Sequence, residues 1–236
     1  MGILCDERIL PVEYYPVSLD IRKKRCVVVG GGDVAERKVE RLLACGAEVS
    51  VVGMELTATL DALARDKKIC HIVDTYKREY IEGAFLVIGA TDDDEVNGQV
   101  ATDSRWNNIW VNIVDDPARC DFIVPSVLRQ GDLTIAISTG GKSPALAKQI
   151  REELETKFGP EYGILLMIMG MIREKITARG TPSDMNKKLF ESVLNSHILD
   201  CIRNRDWEQV KTIIEDTVGE SLDVEVLSGG RHAVCR

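Results

Sequence analysis

An apolar β-branched run, Cys26–Val29, enters three consecutive glycines, Gly30, Gly31 and Gly32, and helix-forming residues follow from Asp33 to Lys38. Read as G-x-G-x-x-A, the stretch supplies Gly30, Gly32 and Ala35. That spacing serves one kind of chemistry, the holding of a pyrophosphate against a helix N-terminus. Gly30 permits a tight turn, Gly32 lets backbone N–H groups approach the phosphates, and Ala35 lets helix and strand pack closely. The stretch stands after a strand and before a helix, as a dinucleotide site requires.

Three further segments carry candidate groups. If the cofactor is NAD, an acid is expected at the end of the second strand for the ribose 2′-OH. Gly53 holds that position and Glu55 follows two residues later; with no arginine pair nearby for a 2′-phosphate, NAD is favoured over NADP. Gly89–Ala90–Thr91–Asp92–Asp93 offers small residues across which a dinucleotide can lie, and it reads equally as a turn into a helix N-cap. Asn112–Pro117 places Asp115 at a strand's carboxyl end, where a carboxylate can take a proton, while Asp115 and Asp116 also suit a turn before Pro117. Finally, Ser138–Pro144 is a second glycine loop leading into a helix. Thr139, Gly140, Gly141, Lys142 and Ser143 give it hydroxyls, N–H groups and a cation for an anion. Arg119, Arg129, Lys148 and Arg151 are candidates for a local positive field there, with ordinary surface charge as the alternative.

The elements that must position these groups follow from periodicity. Strand patterns at Arg25–Val29, Glu48–Val52, Ile69–Val73, Ala84–Gly89 and Ile109–Val114 alternate with helical ones, the signal of a parallel sheet with crossover helices. Tyr15–Ile21 reads as an extra strand ahead of them. After Val114, Phe122–Leu128 and Leu133–Ser138 flank a hairpin turn, and the pattern is helical from Ser143 onward, with Pro182 opening one helix and Asp206–Thr217 forming another. Met167–Met171 reads as core or subunit interface. The expected layout is α/β: a Rossmann-type parallel-sheet domain over 1–115, a β-hairpin and helix segment over 116–158, and a small helical C-terminal domain over 159–236 whose tail after Gly219 is loose.

Composition bounds the classes. The chain has 236 residues, 44% hydrophobic and 29% charged, with a net charge of −8. That charge argues against nucleic acid as partner. No signal peptide or span of membrane length is visible, so a cytoplasmic location is expected. The cysteines, seven in number, form no C-x-x-C pair, and with three histidines no resident metal site is expected. Reduced structural thiols are the favoured reading.

Taken in order, Tyr15–Leu19, VVVGGGDVAERK (27–38), GATDDDEVN (89–97), NIVDDP (112–117), DFIVPS (121–126) and STGGKSPALAKQIREELE (138–155) resemble the precorrin-2 dehydrogenase family. Its members are the dehydrogenase/ferrochelatase part of sirohaem synthases and their stand-alone relatives, and this chain looks like the stand-alone type. The resemblance implies NAD-dependent oxidation of precorrin-2 to sirohydrochlorin, with ferrous iron a further substrate where sirohaem is also made. It implies a homodimer in which 116–158 is a dimerisation segment. Cofactor contacts map to Gly30, Gly32, Asp33, Val34, Glu55 and Thr91, with Gly31 inside the same turn; the family's aspartate maps to Asp115 as base or organiser of substrate and metal. Thr139 falls on a hydroxyl residue that is phosphorylated in some relatives. Met54 stands where relatives often carry proline, which bears on Glu55. The competing expectation is a non-catalytic NAD-sensing Rossmann module that dimerises through its helices.

Overall fold

The computed structural model describes residues 14–179, 183–219, 222 and 224. It divides into two compact units, with the boundary between Val124 and Pro125.

The first unit is a five-stranded parallel sheet in the order β3-β2-β1-β4-β5. Its strands are β1 (Arg25–Val29), β2 (Glu48–Val52), β3 (Ile69–Ile72), β4 (Leu86–Gly89) and β5 (Trp110–Ile113), joined by helices α1 (Asp33–Ala44), α2 (Ala58–Arg65) and α3 (Asp94–Trp106). Val27–Val29 and Val49–Val52 read as unbroken apolar or small runs because strands between helical layers are buried on both faces. Alternation along β1 assigns the faces. Cys26 and Val28 pack with Ala35, Val39 and Leu60 of α1 and α2. Val27 and Val29 pack with Val100 and Ala101 of α3. The register Val29↔Val52 and Val29↔Gly89 brings the carboxyl ends of β1, β2 and β4 level. The strand order reverses beside β1, and that is where a doubly wound sheet binds its ligand.

Helix boundaries follow their caps. Thr57 caps α2 by accepting the Leu60 N–H at 3.2 Å, and its hydroxyl donates to Glu36 of α1. Thr57→Ala is therefore expected to cost about 1–2 kcal/mol, with Thr57→Ser close to wild type; urea midpoints at constant slope measure both. An alanine variant as stable as wild type would show that the cap is dispensable.

Two expectations are corrected in this unit. Tyr15–Ile21 forms no strand: Pro16 withholds a donor, and Tyr15 (87% exposed) and Val17 (54%) find no ladder, leaving Ile21 as the buried anchor. The boundary also falls later than 115, because the chain folds back on β5. Asp121 donates its N–H to the Val111 carbonyl at 2.8 Å, and its carboxylate accepts the Val111 N–H at 3.1 Å.

The second unit pairs an antiparallel hairpin, β6 (Ser126–Gln130) and β7 (Leu133–Ile137), with α4 (Pro144–Lys157), α5 (Pro160–Ala178), α6 (Ser183–Asn195), α7 (Ile198–Arg203) and α8 (Trp207–Val218). Hairpin and helices lie in the same compact unit. Gly131 meets Gly163 of α5 so closely that a Cβ at Gly131 would lie 3.2 Å from the Gly163 Cα. Leu165, Ile168, Ile172 and Ile176 of α5 form the core with α7 and α8, and Met169 and Met171 pack against it. Pro182 lies outside the described residues, as does most of the tail after Gly219. Leu222 and Val224 are nonetheless buried in the helical core, contrary to a loose tail there. The short α7 was not expected.

Among the described residues no helix is long and apolar enough to cross a membrane, and the described cysteines are free thiols. Burial pushes the Cys26 thiol up to about 11, with Cys45 adding to the effect.

Candidate active site

The glycine turn stands between β1 and α1 as the spacing predicts. Gly30 has φ +120°, and a Cβ on it would lie 2.3 Å from the Ala90 carbonyl oxygen, so the turn needs glycine on two counts. At Gly31 a Cβ would meet the Glu55 carbonyl oxygen at 1.9 Å. Gly32 differs: a Cβ there would meet nothing within 4 Å. It is the N-cap of α1 and no side chain caps the helix, so the first N–H groups have no side-chain acceptor. An uncapped helix end behind an open glycine is a cradle for an anion, and it fits a dinucleotide's pyrophosphate. Asp33 is exposed beside it, Val34 is half-buried, and Ala35 is fully buried against the sheet.

The loop after β2 is fastened over this turn. Thr57 donates its N–H to the Gly31 carbonyl at 3.0 Å, and Gly53 donates to Ile72 at 3.1 Å. These bonds hold the loop although Met54 offers no proline rigidity. The Glu55 side chain is exposed while its backbone is pinned against Gly31.

Across the reversal point, Thr91 follows β4. Its hydroxyl oxygen accepts the Asp93 N–H at 3.2 Å, and Asp93 caps α3 by accepting from Glu95 and Val96. The turn-and-cap reading therefore holds for Asp93. Asn97, absent from the sequence-based candidates, donates Nδ2 to the Thr91 carbonyl at 2.8 Å. One signal pointed to it: Asn97 shares the buried face of α3 with Val100, Ala101 and Ser104 at helical spacing.

Asp115 lies just past β5 with φ +60°, in the left-handed region, and its side chain is exposed. The loop around it is held by its neighbours. Asp116 accepts the N–H groups of Ala118 and Arg119 and pairs with the Arg119 guanidinium at 3.1 Å, which makes Asp116 a turn residue. The half-buried Cys120 thiol reaches the Ile113 and Asp116 carbonyls at 3.2 and 3.1 Å. Asn112 donates to the Phe122 carbonyl at 2.9 Å. Lys38, half-buried on α1, is an electrostatic neighbour of Asp115 and Cys120. Burial and Arg41 push its pKa down, and Asp115 and Cys120 oppose that shift.

The second glycine loop, 138–144, belongs to the other unit. Gly140 and Gly141 have φ +60° and +79°. Thr139 Oγ1 accepts the Ser143 N–H at 3.1 Å, and Ser143 caps α4 by accepting from Leu146 at 3.2 Å. The expected positive field is reduced. Arg119 is paired with Asp94 and Asp116, Arg151 with Glu152 and Glu155, and Lys148 with Glu152. Lys142 remains exposed in the loop.

A family model for NAD(P)-binding domains matches residues 17–126, and one for the central part of sirohaem biosynthesis proteins matches residues 130–157. Across both stretches the chain is similar to sirohaem synthases. Sirohaem synthases of Mannheimia succiniciproducens, Chromobacterium violaceum and Methylobacillus flagellatus are 36%, 35% and 36% identical to it, over 86%, 88% and 92% of this chain. The matches cover 43%, 44% and 45% of those proteins, so the chain spans under half the length of the curated relatives it matches. A solved structure of SirC, a precorrin-2 dehydrogenase, shares the fold with a TM-score of 0.68 at 23% identity, covering 84% of this chain and 100% of SirC. In this sirohaem synthase relative the cradle, Glu55, Thr91 and Asp115 all fall within the NAD(P)-binding match, and Thr139–Ser143 within the sirohaem match.

Proposed function

We propose that the protein oxidises precorrin-2 to sirohydrochlorin with NAD as the oxidant. The observation that carries this is Asp115. It is an exposed carboxylate on a left-handed residue at the end of β5, next to the strand that bounds the dinucleotide crevice. When bound, NAD supplies the hydride acceptor. The chain's own groups do the rest. Gly30, Gly31, Gly32, Asp33 and Val34 form the pyrophosphate turn at the start of α1, and Glu55 takes the adenosine ribose hydroxyls. An acid there disfavours a 2′-phosphate, which supports NAD over NADP. Thr91 lines the crevice at β4. Asp115 takes the proton that the tetrapyrrole loses as its hydride departs. Thr139, Gly140, Gly141, Lys142 and Ser143 donate to the substrate's carboxylates.

A homodimer is part of this reading. The α4 stripe Leu146, Ile150 and Leu154 is left exposed or half-buried, with Leu146 47% exposed, and a second copy would cover it.

Anaerobic incubation of the purified chain with NAD and precorrin-2 tests the reading. Sirohydrochlorin and NADH should appear in equal amounts, and NADP should support less turnover. A folded, NAD-binding protein that yields neither product would end the dehydrogenase reading. Adding ferrous iron and sirohydrochlorin, with and without protein, tests iron insertion separately.

A further inference from the structure

Asn97 is 8% exposed, yet its Oδ1 is enclosed with no hydrogen-bond partner. An unmet buried acceptor is unfavourable, so what Asn97 contributes must come from its other amide atom. Nδ2 donates to the Thr91 carbonyl at 2.8 Å. The peptide just before that carbonyl is the one that closes over Gly30. A Gly30 Cβ would lie 2.3 Å from the Ala90 oxygen and 3.1 Å from the Thr91 nitrogen. Asn97 therefore clamps from beneath the strand-end turn that meets the glycine turn above. Gly89 makes the room for it. A Cβ there would fall 2.9 Å from Asn97 Oδ1 and 2.6 Å from Ile113 Cδ1. The small residue at the end of β4 thus seats an amide below the sheet edge, a different role from letting a dinucleotide lie across it.

We propose that Asn97 is a positioning residue for the nicotinamide half of the dinucleotide, fixing the Ala90–Thr91 turn against Gly30. This rests on the crevice binding NAD. In a doubly wound sheet the adenosine half lies over β1 and β2, and the β4 end belongs to the other half. Loss of the clamp should therefore weaken NAD and spare ADP, which a general loosening of the fold would not do.

Calorimetric titration of the full chain with NAD and with ADP tests this. Asn97→Asp keeps the size and sets an oxygen against the Thr91 carbonyl. The Kd for NAD should rise about tenfold, the effect of one lost hydrogen bond, with ADP within about twofold. Gly89→Ala should displace the amide and weaken NAD in the same direction, and the double variant should lose less than the sum of the two. If Asn97→Asp does not fold, Asn97→Ser and Gly89→Ala carry the same comparison. Unchanged NAD affinity in the folded variants, or equal losses for NAD and ADP, would overturn the proposal. A wild-type chain that binds no NAD would instead overturn the dinucleotide reading on which it stands.

Discussion

Asp115→Asn is expected to slow precorrin-2 oxidation by at least about 100-fold, the scale of a lost general base, while the Kd for NAD stays within about twofold. The substitution isolates the carboxylate because the backbone accepts it. At φ +60° most side chains are strained, but asparagine tolerates the left-handed region at least as well as aspartate. The loop is fastened by Asp116, Cys120 and Asp121, and the Asp115 side chain is exposed. Stability should therefore change by no more than about 0.5 kcal/mol. Asp115→Ala adds the backbone penalty, roughly 1–2 kcal/mol, so comparing the two variants separates conformation from charge. Single-turnover NADH formation, NAD titration and urea unfolding give the three readouts. Normal turnover in Asp115→Asn would remove Asp115 from the chemistry.

The parallel sheet was legible because its strands are apolar on both faces and its helices are amphipathic, two periods that do not mimic each other. Tyr15–Ile21 was misread for a related reason. Its alternation satisfies a strand pattern, but a strand also needs a free edge to pair with, and sequence carries no information about that edge. The domain boundary was missed because Asp121 and Phe122 return to β5 through side chain–backbone bonds that have no period. Within the candidate site, the residues proposed to meet a ligand stand out in the sequence as Gly and Asp at strand ends. The residues that support them do not. Asn97 acts through one bond to a carbonyl and Cys120 through a thiol set between two, and only a polar residue on an apolar helix face hinted at the first.

Gly31→Ala should be a severely damaging single-methyl change in the first unit. The added Cβ would lie 1.9 Å from the Glu55 carbonyl oxygen and 3.0 Å from its carbon, both backbone atoms that have no rotamer to change. The loop cannot retreat cheaply. Doing so gives up the Thr57–Gly31 and Gly53–Ile72 backbone bonds and unseats the Thr57 cap of α2. A loss of about 2–4 kcal/mol is expected, together with at least about 100-fold in NAD affinity, as the phosphate turn and Glu55 shift together. Gly32→Ala is the informative contrast. Its φ of −86° suits alanine and its Cβ would meet no protein atom, so stability should stay within about 0.5 kcal/mol. NAD affinity should nonetheless fall at least about tenfold, because the methyl occupies the approach to the α1 N–H groups. Measured by urea unfolding and NAD titration, the pair divides the glycine run by purpose: the middle glycine serves the protein's own packing and the third serves the ligand. Undiminished NAD affinity in Gly32→Ala would mean that the pyrophosphate does not sit at the start of α1.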